Sequence, residues 1–175
     1  MWASENLVGR GGYAEVYKGT LGNGEEIAVK RMSKSSADER KEKEFLTEIG
    51  TIGHVCHPNV LSLLGCCVDN GLYLIFHFFS KGSVASLLHG ISITGSRKSF
   101  SSIFFPCLSY IISLEIPAVD ENLPPFDWKT RHKIATGTAR GLHYLHSGCQ
   151  RRIIHRDIKA SNILLTEDFE PQVSI

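Results

Sequence analysis

The 175-residue sequence predicts an α+β fold in two parts, with residues 1–79 rich in strands and residues 80–175 rich in helices. Three observations support this prediction: β-favouring segments recur in the first part, a Gly-Asn-Gly turn joins two of them, and apolar residues recur at helical spacing in both parts. The predicted strands are residues 15–20, 26–30, 60–65 and 72–76. The predicted long helices are residues 39–52 and 128–146, the second capped by Asp127.

A glycine-rich segment precedes the first of these strands. Residues 9–16 read G-x-G-x-x-A-x-V, with glycines at Gly9 and Gly11. A similar string occurs in dinucleotide-binding turns, where it opens a helix. Here it is followed by strands joined at residues 22–24, so the glycines belong to a β-hairpin. We expect their backbone N–H groups to approach phosphate oxygens, because glycine lacks a Cβ atom.

Lys30 follows this loop at the end of the predicted strand Ile27-Ala28-Val29-Lys30. It is the candidate ligand of the α- and β-phosphates of a nucleotide. Its counter-ion is expected from the helix at residues 39–52, where Glu48 lies among apolar positions and is costly to bury unless it is paired. Glu44 is the alternative partner, and either residue could instead be an ordinary surface carboxylate.

Residues 155–162 carry the most informative motif, His-Arg-Asp-x-Lys-x-x-Asn, followed by three apolar residues. Asp157 is expected to orient and deprotonate an attacking hydroxyl group. Lys159 would neutralise charge on the moving phosphate, and Asn162 would hold a magnesium ion. The alternative interpretation is a loop of solvated charges before a buried strand.

Taken together, these motifs resemble the eukaryotic-type serine/threonine protein kinases, and most of all the plant receptor-like cytoplasmic kinases. The resemblance covers residues 5–90 and 122–172. It implies a two-lobed fold with an antiparallel five-stranded small lobe and a partial helical large lobe, and ATP with Mg²⁺ as cofactors. The implied function is a transferase that moves a phosphoryl group from Mg-ATP to a protein hydroxyl. The motifs that carry the resemblance are residues 9–19, 28–30, 82–88, 127–128, 141–146 and 155–162.

The resemblance also implies a nucleotide-binding set. Residues 77–83 look like the hinge whose backbone would bind adenine, while Val16 and Ala28 would cover the base and Phe76 would close the back of the pocket. For Val16 and Phe76, simple core packing is the alternative. The full set of implied ATP-contacting residues is Val8, Gly9, Gly11, Val16, Ala28, Lys30, Glu48, Phe76 and Phe78.

The sequence departs from the family pattern at its end. Ile175 stands where the family would continue with a D-F-G motif, whose aspartate is a magnesium ligand, so we expect impaired phosphoryl transfer. The alternative is an inactive kinase fragment that acts as a nucleotide-binding or partner-docking module. Without the helices that follow in the family, we also expect an exposed apolar face at Leu142, Leu145, Ile163 and Leu164.

A second departure is residues 91–120, which replace a short connection. The apolar run inside it is too short to span a membrane and contains Pro106. Because a long loop inside a compact domain is unusual, we expect this insertion to be disordered. Two hypotheses remain: translated non-coding sequence such as a retained intron, or a genuine insertion that binds a partner.

Composition adds limits on partners and location. A net charge of +1 gives no electrostatic case for nucleic-acid or membrane-surface binding. No signal peptide, lipidation motif or membrane span is visible, and five cysteines that include adjacent Cys66 and Cys67 are unlike a disulfide framework. We therefore expect a cytoplasmic protein. The candidate partners are ATP, a protein substrate, and an upstream receptor kinase or small GTPase.

Overall fold

The computed structural model describes residues 4–10, 14–32, 38–88 and 127–175. The chain forms two compact units, Met1–Cys56 with Leu61–Phe78, and His57–Val60 with Phe79–Ile175. The insertion predicted at residues 91–120 lies outside the described residues. In chain order the elements are β1 (Leu7–Arg10), β2 (Ala14–Thr20), β3 (Glu26–Met32), α1 (Asp38–Ile52), β4 (Leu63–Cys67), β5 (Tyr73–His77), α2 (Val84–Leu88), α3 (Trp128–His143), β6 (Ile163–Leu165) and β7 (Pro171–Val173).

The first unit is built on a five-stranded antiparallel sheet in the order β1-β2-β3-β5-β4. The β2–β3 connection turns where the sequence places Gly22, Asn23 and Gly24. Gly24 has a φ of 87°, a conformation that only glycine adopts readily, and its N–H donates to the Leu21 carbonyl at 2.9 Å. The predicted α+β class and the five-stranded antiparallel sheet are therefore confirmed.

Helix α1 is held by its apolar face. Phe45 and Ile52 lie seven residues apart, which places them on the same side of the helix, and both are buried. Each fully buried side chain of this size contributes roughly 1.5–3 kcal/mol of hydrophobic stabilisation. Leu74 of β5 is also fully buried in this unit. Packing of this face therefore fixes the helix that carries the half-buried Glu48 one turn after Phe45.

The second unit is organised around helix α3. The Asp127 carboxylate caps its first turn by accepting the Thr130 N–H at 2.7 Å. The helix buries a face that includes Ile134 and Thr138, and a single π-helical turn at Tyr144–Gly148 leads the chain away from it. Strands β6 and β7 form an antiparallel hairpin, and β7 packs against α3.

This packing corrects the expected exposed apolar face. Leu145 and Ile163 have no exposed surface, while Leu142 and Leu164 are half-buried. The expectation was wrong because it omitted β7, which covers α3 and pairs with β6. Strand β7 was not predicted, since a proline at its first position reads as a strand breaker. At that position the missing N–H is tolerated.

The segment His57–Val60 belongs to the second unit although it lies between two stretches of the first. Asn59 is 2% exposed, and its side chain donates to Glu170 Oε1 at 2.6 Å and to the Pro171 carbonyl at 3.1 Å. Its own carbonyl accepts the Val173 N–H at 3.0 Å. Strand β4 consequently begins at Leu63 and not at the predicted residue 60, because Val60 instead bridges to Val173.

Candidate functional site

Lys30 and Glu48 form an ion pair that joins β3 to α1. The Lys30 Nζ lies 2.7 Å from Glu48 Oε1, and both side chains are partly buried. Pairing of Lys30 with Val16 on one side and Leu74 on the other fixes its backbone. The structure thus joins the two residues that the sequence paired. The side chain of Glu44, the alternative partner, lies outside the described set.

Several residues of the implied nucleotide-binding set share one face of the sheet. Directly opposed residues of antiparallel strands point to the same side, and side chains alternate along each strand. The pairs Val16↔Lys30 and Ala28↔Phe76 therefore place these four side chains on one face. All four are half-buried, whereas Leu74 on the same face has no exposed surface. Simple core packing accounts for Leu74 but leaves apolar surface of Val16, Ala28 and Phe76 available to a ligand.

Strand β1 brings the first residues of the glycine-rich segment beside this face. Val8 and Gly9 are half-buried, and Gly9 pairs with Val16 just after an irregularity in the β1–β2 register. A Cβ atom on Gly9 would lie 3.8 Å from Val16 Cβ, an ordinary contact, so local packing does not itself demand glycine there. Gly11 lies outside the described residues.

The segment expected to form the hinge continues the pairing of β5 with β3. The Phe78 N–H donates to the Glu26 carbonyl at 3.2 Å, one residue beyond the last paired residue of β5. Backbone groups of successive strand residues point to opposite edges. The N–H and carbonyl groups of His77 therefore point away from β3, which leaves them free of the β3–β5 ladder and able to bond a ligand.

The second unit carries the three predicted catalytic residues as one hydrogen-bonded cluster. Lys159 Nζ lies 2.7 Å from Asp157 Oδ2, and Asn162 Nδ2 donates to the same oxygen at 3.2 Å and to the Asp157 carbonyl at 2.9 Å. The hydrogen bond from Lys159 is the largest cause that holds the pKa of Asp157 below its usual value, opposed by partial burial. Asp157 is therefore a carboxylate at neutral pH, and it remains exposed to solvent.

Bonds to the end of the β6–β7 hairpin hold this loop in place. The Ser174 N–H donates to the Asn162 carbonyl at 2.9 Å, and the Ser174 carbonyl lies 2.5 Å from His155 Nε2. The Asp157 N–H donates to His155 Nδ1 at 3.3 Å, so Nε2 carries the ring proton in the neutral tautomer. Arg156 between them has a φ of 61°, a strained conformation for a residue with a side chain.

The donor atoms of this cluster suit a hard divalent cation. Both Asn162 bonds use its amide nitrogen, which leaves its side-chain carbonyl oxygen, the atom type that Mg²⁺ prefers together with carboxylate and phosphate oxygens. Within residues 4–10, 14–32, 38–88 and 127–175, no group of three or more His, Cys, Asp or Glu residues could hold a metal ion by itself. None of the described helices is long and apolar enough to cross a membrane.

Two structural residues were missed by sequence reasoning. Asn59 belongs to none of the sequence motifs described above, and its partners lie 111 and 112 residues away. Lys18 lies inside the predicted strand at residues 15–20, and no sequence motif marks it. The sequence does not show that Asn59 is buried, so nothing marks it as structural. A lysine at an alternating position of a strand, such as Lys18, looks the same in sequence as a solvated charge.

The model of the protein tyrosine and serine/threonine kinase family matches residues 3–175. The chain belongs to the protein kinase family. The chain is 50% identical over 169 residues to a probable receptor-like serine/threonine-protein kinase of Arabidopsis thaliana. It is also 47% identical over 172 residues to the receptor-like cytosolic serine/threonine-protein kinase RBK2 of the same plant. The resemblance drawn from the sequence motifs is confirmed.

This kinase-family chain also resembles a solved structure, the pseudokinase domain of BIR2, described as an immune regulator of the RLK/Pelle family. The two share 31% sequence identity with a TM-score of 0.65, over 98% of this chain and 44% of that one. The match to RBK2 covers 98% of this chain but 31% of the relative, and the match to the probable receptor-like kinase covers 97% and 24%. The chain thus spans about a quarter to a third of these curated relatives.

Proposed function

We propose that this chain provides ATP-binding and catalytic-loop residues of a protein serine/threonine kinase, which transfers a phosphoryl group from Mg-ATP to a protein hydroxyl. The hydrogen-bonded cluster of Asp157, Lys159 and Asn162 carries this proposal. Phosphoryl transfer depends mainly on positioning and charge neutralisation, and an acid, a cation and an amide within hydrogen-bond distance supply these.

Each residue of the cluster has a distinct role in this proposal. Asp157 orients the substrate hydroxyl and accepts its proton, which its lowered pKa permits because the group is ionised at neutral pH. Lys159 balances charge on the transferred phosphoryl group. Asn162 presents a carbonyl oxygen as a ligand to Mg²⁺. When bound, Mg-ATP supplies the phosphoryl group and the divalent charge that stabilises the leaving phosphates.

The first unit supplies the proposed nucleotide contacts. Lys30, directed by Glu48, meets the α- and β-phosphates, and the half-buried apolar face covers the base. The hinge donates and accepts through the backbone of His77, with Phe78 beside it. The proposed ATP-binding residues are Val8, Gly9, Gly11, Val16, Ala28, Lys30, Glu48, Phe76 and Phe78.

We also propose a cytosolic location and a protein substrate. The naming of RBK2 as a receptor-like cytosolic kinase supports the location. An upstream receptor kinase or a small GTPase is the proposed regulator of a protein of this group.

A second candidate function is an inactive kinase module that binds nucleotide or docks a partner. One observation favours it: the solved relative with which the chain shares its fold is named a pseudokinase domain. In that case the cluster around Asp157 would persist as structure, without turnover.

The deciding experiment is transfer of labelled γ-phosphate to a generic protein substrate by the full 175-residue chain with Mg²⁺ and ATP. We expect Asp157→Asn to reduce the rate by about 10²–10⁴-fold, the range that a general base contributes. Asp69→Asn, an exposed aspartate before β5, is the matched control and should leave the rate unchanged. Nucleotide binding without transfer in the unsubstituted chain would favour the inactive module, and equal rates for both variants would refute the catalytic role of Asp157.

A further inference from the structure

Three residues of the first unit form what we call the hinge clamp: Lys18, Glu26 and Phe78. The Lys18 ammonium lies 4.5 Å from the centroid of the Phe78 ring and 2.5 Å from Glu26 Oε1. The same Glu26 accepts the Phe78 N–H through its backbone carbonyl at 3.2 Å. Lys18 on β2 and Glu26 on β3 thus hold both the ring and the backbone of the hinge residue.

The clamp lies at the hinge end of the proposed nucleotide face. Lys18 pairs directly with Ala28, so its side chain emerges on the same side of the sheet as Ala28 and Val16. Phe78 follows Phe76 by two residues and opposes Glu26, which places its ring on that side as well. The clamp therefore borders the apolar surface proposed to cover the base.

Phe78 depends on these contacts with Lys18 and Glu26 because the sheet bonds its backbone on one side only. Strand β4 pairs with β5 no further than Phe76, whereas β3 continues along the hinge to Phe78. A cation over an aromatic face and an ion pair to a neighbouring strand restrict the rotamers of all three side chains. The hinge backbone is thereby ordered before a ligand arrives.

The preceding hinge residue is tied to the same part of the sheet from the opposite face. His77 Nδ1 lies 2.9 Å from Glu25 Oε1, and the Glu25 N–H donates to Asn23 Oδ1 at 3.0 Å. Two consecutive hinge residues are thus anchored to two consecutive acidic residues: Glu25, directly before β3, and Glu26, its first residue. These contacts fix the direction of the outward backbone groups of His77.

We propose that Lys18 is a positioning residue for the base of a bound purine nucleotide. It acts through Phe78, whose fixed ring and amide set the orientation in which the hinge backbone accepts the base. This inference rests on the proposed nucleotide-binding function and adds a determinant of base affinity. Ordering a binding segment in advance reduces the entropy lost on binding.

The test compares three ligands on the full chain by isothermal titration calorimetry: ATP, adenosine and inorganic tripolyphosphate. Lys18→Met keeps the length of the side chain but removes its charge. We expect it to raise the Kd for ATP and adenosine by the same factor, about 2–5-fold for an exposed cation–π contact, and to leave tripolyphosphate unchanged. Lys18→Arg should restore both affinities, because guanidinium also stacks on aromatic rings.

Lys43→Met provides the matched control, since Lys43 is an exposed lysine of α1 in the same unit and should alter none of the three affinities. Glu26→Gln gives a second variant, expected to weaken adenosine binding in the same direction. The inference is overturned if Lys18→Met leaves the adenosine Kd unchanged, or if it weakens tripolyphosphate equally, which would indicate general loosening of the sheet. Failure of the unsubstituted chain to bind ATP or adenosine would instead refute the proposed function, and the inference with it.

Discussion

The ammonium of Lys30 and the carboxylate of Glu48 lie 2.7 Å apart, so a short ion pair links strand β3 to helix α1. The two side chains keep 29% and 26% of their surface exposed, and solvent screens a pair of this kind. The pair therefore contributes little to folding but fixes the direction of the ammonium group. Its removal should affect ligand binding more than stability.

Replacing Glu48 with glutamine tests that distinction. We expect the Kd for Mg-ATP to rise about 3–10-fold, because a charge-assisted hydrogen bond that directs Lys30 is lost. The free energy of unfolding should change by less than about 1 kcal/mol. Calorimetric titration and urea denaturation measure the two quantities. Glu42→Gln, an exposed glutamate on the same helix, is the control, and an equal loss of affinity in that variant would contradict the directing role of Glu48.

Replacing Asn59 with alanine should destabilise the second unit. The Pro171 carbonyl loses a donor and the Glu170 carboxylate loses its bond from the amide, and a buried polar group left without its partner costs about 1–3 kcal/mol. Urea denaturation followed by circular dichroism would measure the change. Gln150→Ala removes an exposed amide of the same unit and should stay within about 0.5 kcal/mol. Equal effects of the two substitutions would show that the Asn59 contacts are unimportant for stability.

Two glycine-to-alanine substitutions in helices should change the stability of the fold in opposite directions. A Cβ atom on Gly137 of α3 would lie 2.5 Å from Pro171 Cγ and 2.8 Å from Asn59 Nδ2, so Gly137→Ala should cost about 1–3 kcal/mol through overpacking. On Gly50 of α1 the same atom would meet nothing within 4 Å. Gly50→Ala should therefore stabilise the chain by up to about 1 kcal/mol through helix propensity. Thermal denaturation of both variants checks the signs: a Tm that does not fall for Gly137→Ala would contradict the packing at α3, and a lower Tm for Gly50→Ala would contradict the open space at Gly50.

The Asp127 cap of α3 should make the stability of the folded chain depend on pH. The hydrogen bond from Thr130 holds the pKa of Asp127 below its ordinary value, so the folded state favours the ionised carboxyl group. This contribution is present above the unfolded pKa, near 4, and is lost as the pH falls through the lower folded pKa. Asp127→Ala should lower Tm by about 2–4 °C at pH 7.

If the ionised Asp127 stabilises the helix, the Tm differences between variants at this position should change with pH. The Tm difference between the unsubstituted chain and Asp127→Ala should shrink as the pH is lowered from 7 to 3. Asp127→Asn keeps a capping oxygen that cannot ionise, so it should retain most of the stability at pH 7. A Tm difference for Asp127→Ala that is constant over this range would exclude the ionised cap.

Local patterns predicted four of the five strands and the ion pair because these depend on short-range chemistry, whereas the five-stranded antiparallel sheet followed from the family resemblance. The Gly-Asn-Gly turn predicts a hairpin, and the placement of Glu48 among apolar helix positions favours a cation nearby over an unpaired surface carboxylate. The cluster around Asp157 was likewise predicted from residues within a single loop. These features need no knowledge of distant chain segments.

The features that were missed depend on distant partners. The proline at position 171 suggests the end of a strand, yet it is the first residue of β7. It can take this position because it pairs with Leu165 and because β7 packs against α3. Asn59 becomes important only when its partners around Glu170 fold against it. Lys18 and Phe78 are 60 positions apart by number, and no local pattern shows that the ammonium rests on the ring. Tertiary packing, which a single sequence does not display, decided each of these.

Because His57–Val60 folds with the second unit, the two units cannot be expressed separately by cutting the gene at one point. If the chain is divided once, after Phe78, the tetrapeptide His57–Val60 stays on the first fragment. The second fragment then lacks Asn59 and its contacts. Separate expression of the second half therefore calls for a circularly permuted or linker-fused tetrapeptide. Exchange of the two halves between homologues should succeed only when the donor of the later half also supplies this tetrapeptide.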